Sequence, residues 1–218
     1  MRFLRENGLS VTLFALFLVC QIGLTFVGAR HQNNELRDHG QPPVTYAAYV
    51  SSGGFVEATM ENWESEFLQM FAYVLLTAVL VQKGSSESKT PGRREDVDHD
   101  PRLARNPDRP WPVKRGGWVL RLYENSLSIV LFVLFAVSFW LHAAGGAREY
   151  TEEQLLHGGT GVTTIGYLGT ARFWFESLQN WQREFLSVAV LIVLTIYLRQ
   201  RGSPESKPVA APHFDTGK

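Results

Sequence analysis

Ser128-Ile-Val-Leu-Phe-Val-Leu-Phe-Ala-Val-Ser-Phe-Trp140 is the stretch that decides the fold class. Wound as an α-helix it is apolar on every side, whereas a helix packed on a soluble core keeps a polar face at helical spacing. It belongs to an apolar block at residues 127–144, close to the roughly 20 residues that cross the hydrocarbon core of a bilayer. A second such block, residues 9–27, opens as Leu9-Ser-Val-Thr-Leu-Phe-Ala-Leu-Phe-Leu-Val-Cys20 and also lacks a charged stripe. Two shorter blocks, residues 67–81 and 185–198, hold about 15 residues each and reach spanning length when the turns from Trp63 and Trp181 are counted. Indole rings suit the membrane–water interface. Thr77 and Thr195, inside the shorter blocks, can return a hydrogen bond to the preceding turn and so tolerate lipid.

The four blocks are two copies of one pattern. Displaced by about 118 positions, the first half lies on the second without a gap. Glu6-Asn7 falls on Glu124-Asn125, Gly28-Ala29-Arg30 on Gly146-Ala147-Arg148, and Asn62-Trp63 with Glu66-Phe67-Leu68 on Asn180-Trp181 with Glu184-Phe185-Leu186. Gln82, Gly84-Ser85 and Glu87-Ser88-Lys89 fall on Gln200, Gly202-Ser203 and Glu205-Ser206-Lys207. The expected fold is therefore all-α and integral to a membrane: four transmembrane helices as two tandem parallel hairpin repeats with pseudo-two-fold symmetry. The first repeat is residues 1–89, a polar linker is 90–117, the second repeat is 118–207, and 208–218 is a flexible tail. Arg2 and Arg5 before an apolar run also resemble a cleaved signal peptide, but the matching run of the second half is internal and carries the same Gly-Ala-Arg ending.

Charge orients the chain. Lys83, Arg93, Arg94, Lys114 and Arg115 lie in the middle connection, Arg2 and Arg5 at the start, and Arg199 and Arg201 after the last block. The hairpin loops, residues 28–62 and 146–180, are acidic on balance, with Glu35, Asp38, Glu57 and Glu61 in one and Glu149, Glu152, Glu153 and Glu176 in the other. By the positive-inside rule both termini and the connection are expected in the cytoplasm and both loops outside, as in a multi-pass protein of the cell (inner) membrane. Overall, 21 Lys and Arg balance 21 Asp and Glu, so no basic surface points to nucleic acid. The one cysteine, Cys20, sits inside an apolar block and reads as a packing residue.

The loops hold the candidate chemistry. Ser52 and Thr170 are expected to cap the second helix of each hairpin. Asn62 and Glu66, like Asn180 and Glu184, are four apart and share a helix face. Each Glu enters the membrane boundary, where a carboxylate must be paired, protonated or wet. Asn62, Glu66, Asn180 and Glu184 are thus the candidate polar site, for a cation or a proton. The competing reading makes each Glu a staple to an Arg such as Arg30 or Arg148. Trp63, Trp181, Tyr49 and Tyr167 read as interface anchors. His39-Gly40 and His157-Gly158 recur four residues after Glu35 and Glu153. They read as helix ends or turns rather than as a metal site. Asp98-His99-Asp100 reads as a solvated charge run. No metal, cofactor or catalytic residue is expected: P-loop, His-Glu-x-x-His and Gly-x-Ser-x-Gly patterns are all missing from the sequence.

Arg5-Glu-Asn-Gly-Leu-Ser10, the two Asn-Trp-x-x-Glu-Phe-Leu motifs and Arg199-Gln-Arg-Gly-Ser-Pro-Glu-Ser-Lys207 resemble a bacterial family of small multi-pass membrane proteins catalogued as a domain of unknown function. The resemblance covers nearly the whole chain. It implies a bacterial envelope protein and carries no activity, substrate or catalytic residue. The expected function is a non-enzymatic envelope or scaffolding component, with the lipid bilayer and a homo-oligomer or envelope protein as partners. The alternative is a small channel or transporter for a cation or proton, and an enzyme stands third.

Overall fold

The computed structural model describes residues 2–217, and among these every regular element is helical. Met1 and Lys218, assigned above to the first repeat and to the tail, lie outside them. In chain order the helices are α1 (Arg2–Asp38), α2 (Tyr46–Val50), α3 (Gly53–Val79), α4 (Trp111–Arg115), α5 (Gly117–Glu124), α6 (Ser126–Leu156), α7 (Thr164–Leu168) and α8 (Ala171–Tyr197). The connection before α4 carries only 3-10 turns at Asp96–Asp98 and Pro101–Leu103. Among the described residues two helices, α1 and α6, are long and apolar enough to cross a membrane. Glu57, Glu61, Glu64 and Glu66 on α3, and Arg172, Glu176, Arg183 and Glu184 on α8, make the first halves of those helices polar.

Local chemistry sets the boundaries. Ser52 Oγ accepts the Phe55 N–H at 3.2 Å and Thr170 Oγ1 accepts the Phe173 N–H at 3.3 Å, so each caps an otherwise unpaired donor of the first turn. Thr45 and Thr163 cap α2 and α7 in the same way, at 3.2 and 3.1 Å. Thr77 Oγ1 donates to Tyr73 O and Thr195 Oγ1 to Ile192 O, both at 2.9 Å. Asn7 leaves helical geometry inside α1, and Asn125 separates α5 from α6 with nearly the same dihedrals. Each amide donates to the carbonyl four residues back, Phe3 O at 3.0 Å and Arg121 O at 2.9 Å. That is the competition with the backbone that asparagine brings to a helix.

The chain forms two compact units. The first takes the residues up to Met60 together with Trp140–Phe173. In it, Tyr49 and Tyr167, expected at the interface, are buried instead. The reason is glycine: a Cβ on Gly28 would stand 1.9 Å from Tyr49 Oη, and one on Gly146 would stand 2.3 Å from Tyr167 Cε1. Each ring fills the space that a missing side chain leaves. Backbones also approach closely here, since a Cβ on Gly145 would meet Glu57 N at 2.6 Å and one on Gly53 would meet Glu149 N at 2.7 Å. Glycine, with no Cβ, permits this close approach of one backbone to another. The loops after α1 and α6 are pinned alike: Val44 N donates to Asn33 Oδ1 at 2.7 Å, and Val162 N to Thr151 Oγ1 at 3.1 Å.

The second unit takes Glu61–Phe139 with the residues from Trp174 onward. Phe71, Phe132, Phe135 and Trp181 form a run of neighbouring rings with centroids 5.3–6.3 Å apart, within the range of favourable aromatic contact. After α3 and after α8 the chain makes the same turn: Gln82 N donates to Ser88 Oγ at 2.7 Å and Gln200 N to Ser206 Oγ at 2.9 Å. Lys207 is 2% exposed. Its ammonium donates to the carbonyls of Gly84, Pro212, His213 and Asp215 at 2.5, 3.3, 3.0 and 2.8 Å. Residues 208–217, expected as a tail, are held against the turn after α3. Gly217 N donates to Ser85 O at 3.0 Å, and Gly84 N to Thr216 Oγ1 at 2.8 Å.

Candidate functional site

The four residues singled out in the sequence lie together in the second unit but do not act alike. On α3, Asn62 and Glu66 are exposed, one turn apart. On α8, Asn180 is buried and Glu184 half-buried. The Glu66 and Glu184 carboxyls are close neighbours that feel each other's charge. Asn180 goes elsewhere. Its amide donates to Glu61 Oε1 and to Glu176 O, and its carbonyl oxygen accepts from Arg183 Nη2. Beside it Glu64 is completely buried and accepts the Trp181 Nε1–H at 2.8 Å. A buried carboxylate costs several kcal/mol unless hydrogen-bonded or paired, and Trp181, expected as an interface anchor, acts here as the donor to that acid. Trp63 is half-buried, edge-on to Phe67.

A second polar cluster, in the first unit, escaped the sequence reading. Glu57 and His142 are buried, and a carboxylate oxygen of one lies within 4.8 Å of a ring nitrogen of the other. Tyr167 Oη donates to Glu57 Oε1 at 2.9 Å, and the His142 ring lies over Phe173 with centroids 4.8 Å apart. Neither member is duplicated. In the repeat register Glu57 falls on Phe175, and His142 falls on Leu24. A search for recurring residues passes over them; the signal that finds them is a polar residue in one copy where the other is apolar. Carboxyl, phenol and imidazole all exchange protons, and here they tie α3 to α6 and α7.

At the loop ends, His39 and His157 close their helices as expected. Gly40 and Gly158 have φ of 68° and 76°, the left-handed conformation that ends helices at low cost for glycine. Gly40 N donates to Arg37 O and Gly158 N to Leu155 O, at 2.9 and 3.2 Å. On the same face Glu149 is half-buried. Burial pushes its carboxyl above the usual range, and the Glu152 charge adds to this.

The family model described as a domain of unknown function (DUF6766) matches residues 1–218, and the chain belongs to that family. No curated protein and no solved structure matches it.

Proposed function

We propose that this member of the DUF6766 family is a non-enzymatic, four-span component of the bacterial inner membrane that stabilises the envelope or scaffolds other proteins. Its halves form parallel hairpin repeats about a pseudo-two-fold axis along the membrane normal. Both termini and the 90–117 connection face the cytoplasm, and the 28–62 and 146–180 loops face outward. One observation carries the reading: none of the apolar stretch of α1 is buried, and Leu13, Phe14 and Val19 along it are exposed. Apolar surface left in water costs about 25 cal/mol per Å², and lipid removes that cost. Helices α3 and α8 suit the remaining spans. Each has 27 residues, about 40 Å of helix against a core of about 30 Å. Structural use of the boundary polar groups is supported by their mutual bonding, Asn180 with Glu61 and Trp181 with Glu64.

The test is topology. Reporter fusions at the two ends and at Asp100 are expected to report the cytoplasm, and insertions at Gly40 and Thr160 the opposite side. Ends on opposite sides, or a detergent-free soluble monomer, would refute the proposal. A cation or proton path is the second reading, favoured by the meeting of Glu66 and Glu184. Proteoliposomes decide between them: flux that disappears in Glu66→Gln/Glu184→Gln at unchanged protein abundance would replace the scaffold with a transporter.

A further inference from the structure

A groove in the second unit contains a buried amide with nothing to bond. The groove holds about 360 Å³ and is walled by Leu76 on α3 and by Phe185, Val188 and Ile192 on α8. That volume falls within the range of small-molecule sites, about 300–1,000 Å³. Gln69 lines the groove and is 9% exposed, and its side-chain amide has no hydrogen-bond partner among the described residues. A buried amide left without a partner is costly, so this one calls for a ligand that supplies the missing bond. The duplication marks the groove as a departure. In the repeat register Gln69 falls on Ser187, Tyr73 on Leu191 and Phe71 on Ala189. Ser187 Oγ donates to Glu184 O at 2.8 Å, so the second copy presents no such amide. Phe71 packs on Phe132 with centroids 5.3 Å apart, whereas Ala189 is small and lines the groove.

The neighbouring hydrogens are already placed. Tyr73 Oη donates to Glu87 Oε2 at 3.2 Å and Thr77 Oγ1 to Tyr73 O at 2.9 Å. Both hydroxyl oxygens keep lone pairs for a donor, and Gln69 brings N–H donors and a carbonyl oxygen. Among the described residues the lining contains no Lys, Arg or His, and its one carboxylate is Glu87. Glu87 also accepts from Ser86 Oγ at 3.3 Å. An anionic headgroup would meet a like charge and no counter-charge. A cationic one would have to compete with two hydroxyls for Glu87. The chemistry that matches is uncharged: a carbonyl for Gln69, hydroxyls for the lone pairs, and an apolar chain for the walls.

We propose that this groove binds one uncharged lipid bearing a carbonyl and hydroxyls on an apolar chain, as a monoacylglycerol does. The carbonyl accepts from Gln69 Nε2, a hydroxyl donates to the Tyr73 or Thr77 oxygen, and the chain covers Leu76, Val188 and Ile192. Leu76 is 47% exposed, so the groove is open on its α3 side. The lipid enters from the bilayer, and to that extent the site rests on the membrane reading.

The experiment is photolabelling of the full chain in phosphatidylcholine liposomes by monolaurin with a diazirine in its chain, mapped by peptide mass spectrometry. Labelling of α1 reports insertion separately: an unlabelled α1 would refute the membrane reading, and a labelled one leaves the groove to be judged by itself. Labelling at Leu76, Val188 and Ala189 is expected to saturate and to be suppressed by excess monolaurin, while labelling of α1 keeps rising with probe. Ionised dodecanoate and dodecylammonium are expected to leave groove labelling unchanged. Ala189→Phe, which brings in the first copy's residue, is expected to abolish the saturable part. Gln69→Leu is expected to weaken it about threefold or more, the worth of one hydrogen bond. Gln69→Leu should also melt at a higher temperature than wild type without lipid, because the unbonded amide is gone; a merely structural Gln69 would give a lower one. Groove labelling that is missing or rises like that of α1, suppression by either charged chain, or undiminished labelling in both variants overturns the proposal. If Ala189→Phe loses helical circular dichroism, Gln69→Leu decides.

Discussion

Gly23 and Gly28 both lie inside α1, yet alanine should have opposite effects at the two positions. At Gly23 a Cβ meets nothing within 4 Å, so Gly23→Ala only removes backbone freedom and gains helix propensity, about 0.8–1 kcal/mol. At Gly28 the new Cβ would stand 1.9 Å from Tyr49 Oη and 2.7 Å from Tyr49 Cζ. The ring has little room to retreat, since Tyr49 is buried and packs on Phe55 with centroids 5.3 Å apart. Overpacking of this kind costs about 1–3 kcal/mol, which cancels or exceeds the propensity gain. Gly28→Ala is therefore expected to be about 1–3 kcal/mol less stable than Gly23→Ala. Tyr49→Phe, which removes the nearest atom, should narrow the gap without closing it. The assay is unfolding in mixed micelles by titrated dodecyl sulfate, followed by helical circular dichroism. Equal stability of the two alanine variants would refute the packing of Tyr49 onto Gly28.

Glu149 has a carboxyl held above its ordinary value by burial and by Glu152. Its contribution to stability is therefore full below the unfolded glutamate pKa and lost as pH rises through the folded value. Glu149→Gln should accordingly unfold at a higher temperature than wild type near neutral pH, and the difference should vanish on acidification; a pH-independent difference contradicts the assignment. Lys207→Met removes the donor shared by four carbonyls, each costing about 1–3 kcal/mol if left buried and unpaired. Hydrogen exchange should accelerate at Gly217 and through 82–90 while α6 is unaffected, and unchanged protection at Gly217 would show that the ammonium does not hold the segment.

What the sequence revealed was local. Ser52 and Thr170 announce their helices because a hydroxyl just ahead of a helix needs only the next turn to find a donor. Thr77 and Thr195 bond within their own helix for the same reason. The Asn-Trp-x-x-Glu-Phe-Leu motif marked the right neighbourhood, but not the bonding in it. Asn180 bonds to Glu61 and Trp181 to Glu64, and Glu61 and Glu64 fall on Gln179 and Gln182 in the repeat register, so duplication gave no hint of them. Tyr49 and Tyr167 were misplaced because aromatic residues near a span end suit the interface and a glycine cleft equally. Only knowing that each ring lies over Gly28 or Gly146 separates the two. Lys207 was illegible for a related reason: four main-chain carbonyls leave no pattern in side-chain identity.

Each compact unit is assembled from two separate stretches of the chain, and this explains where the polar chemistry sits. The first unit draws on both halves of the chain, so it contains each half's loop and brings a residue of one copy against a residue of the other. Where the copies agree, the contact is between like residues. His39 meets His157, with ring centroids 6.3 Å apart. Where the copies differ, the contact is between complementary residues. Glu57 meets Tyr167 and His142, although the partners of Glu57 and His142 in the repeat register are Phe175 and Leu24. A buried acid is tolerated only beside donors, and in a strictly symmetric chain Phe175 would have to be an acid as well and Leu24 a histidine. Divergence at these two positions confines the charge to one place.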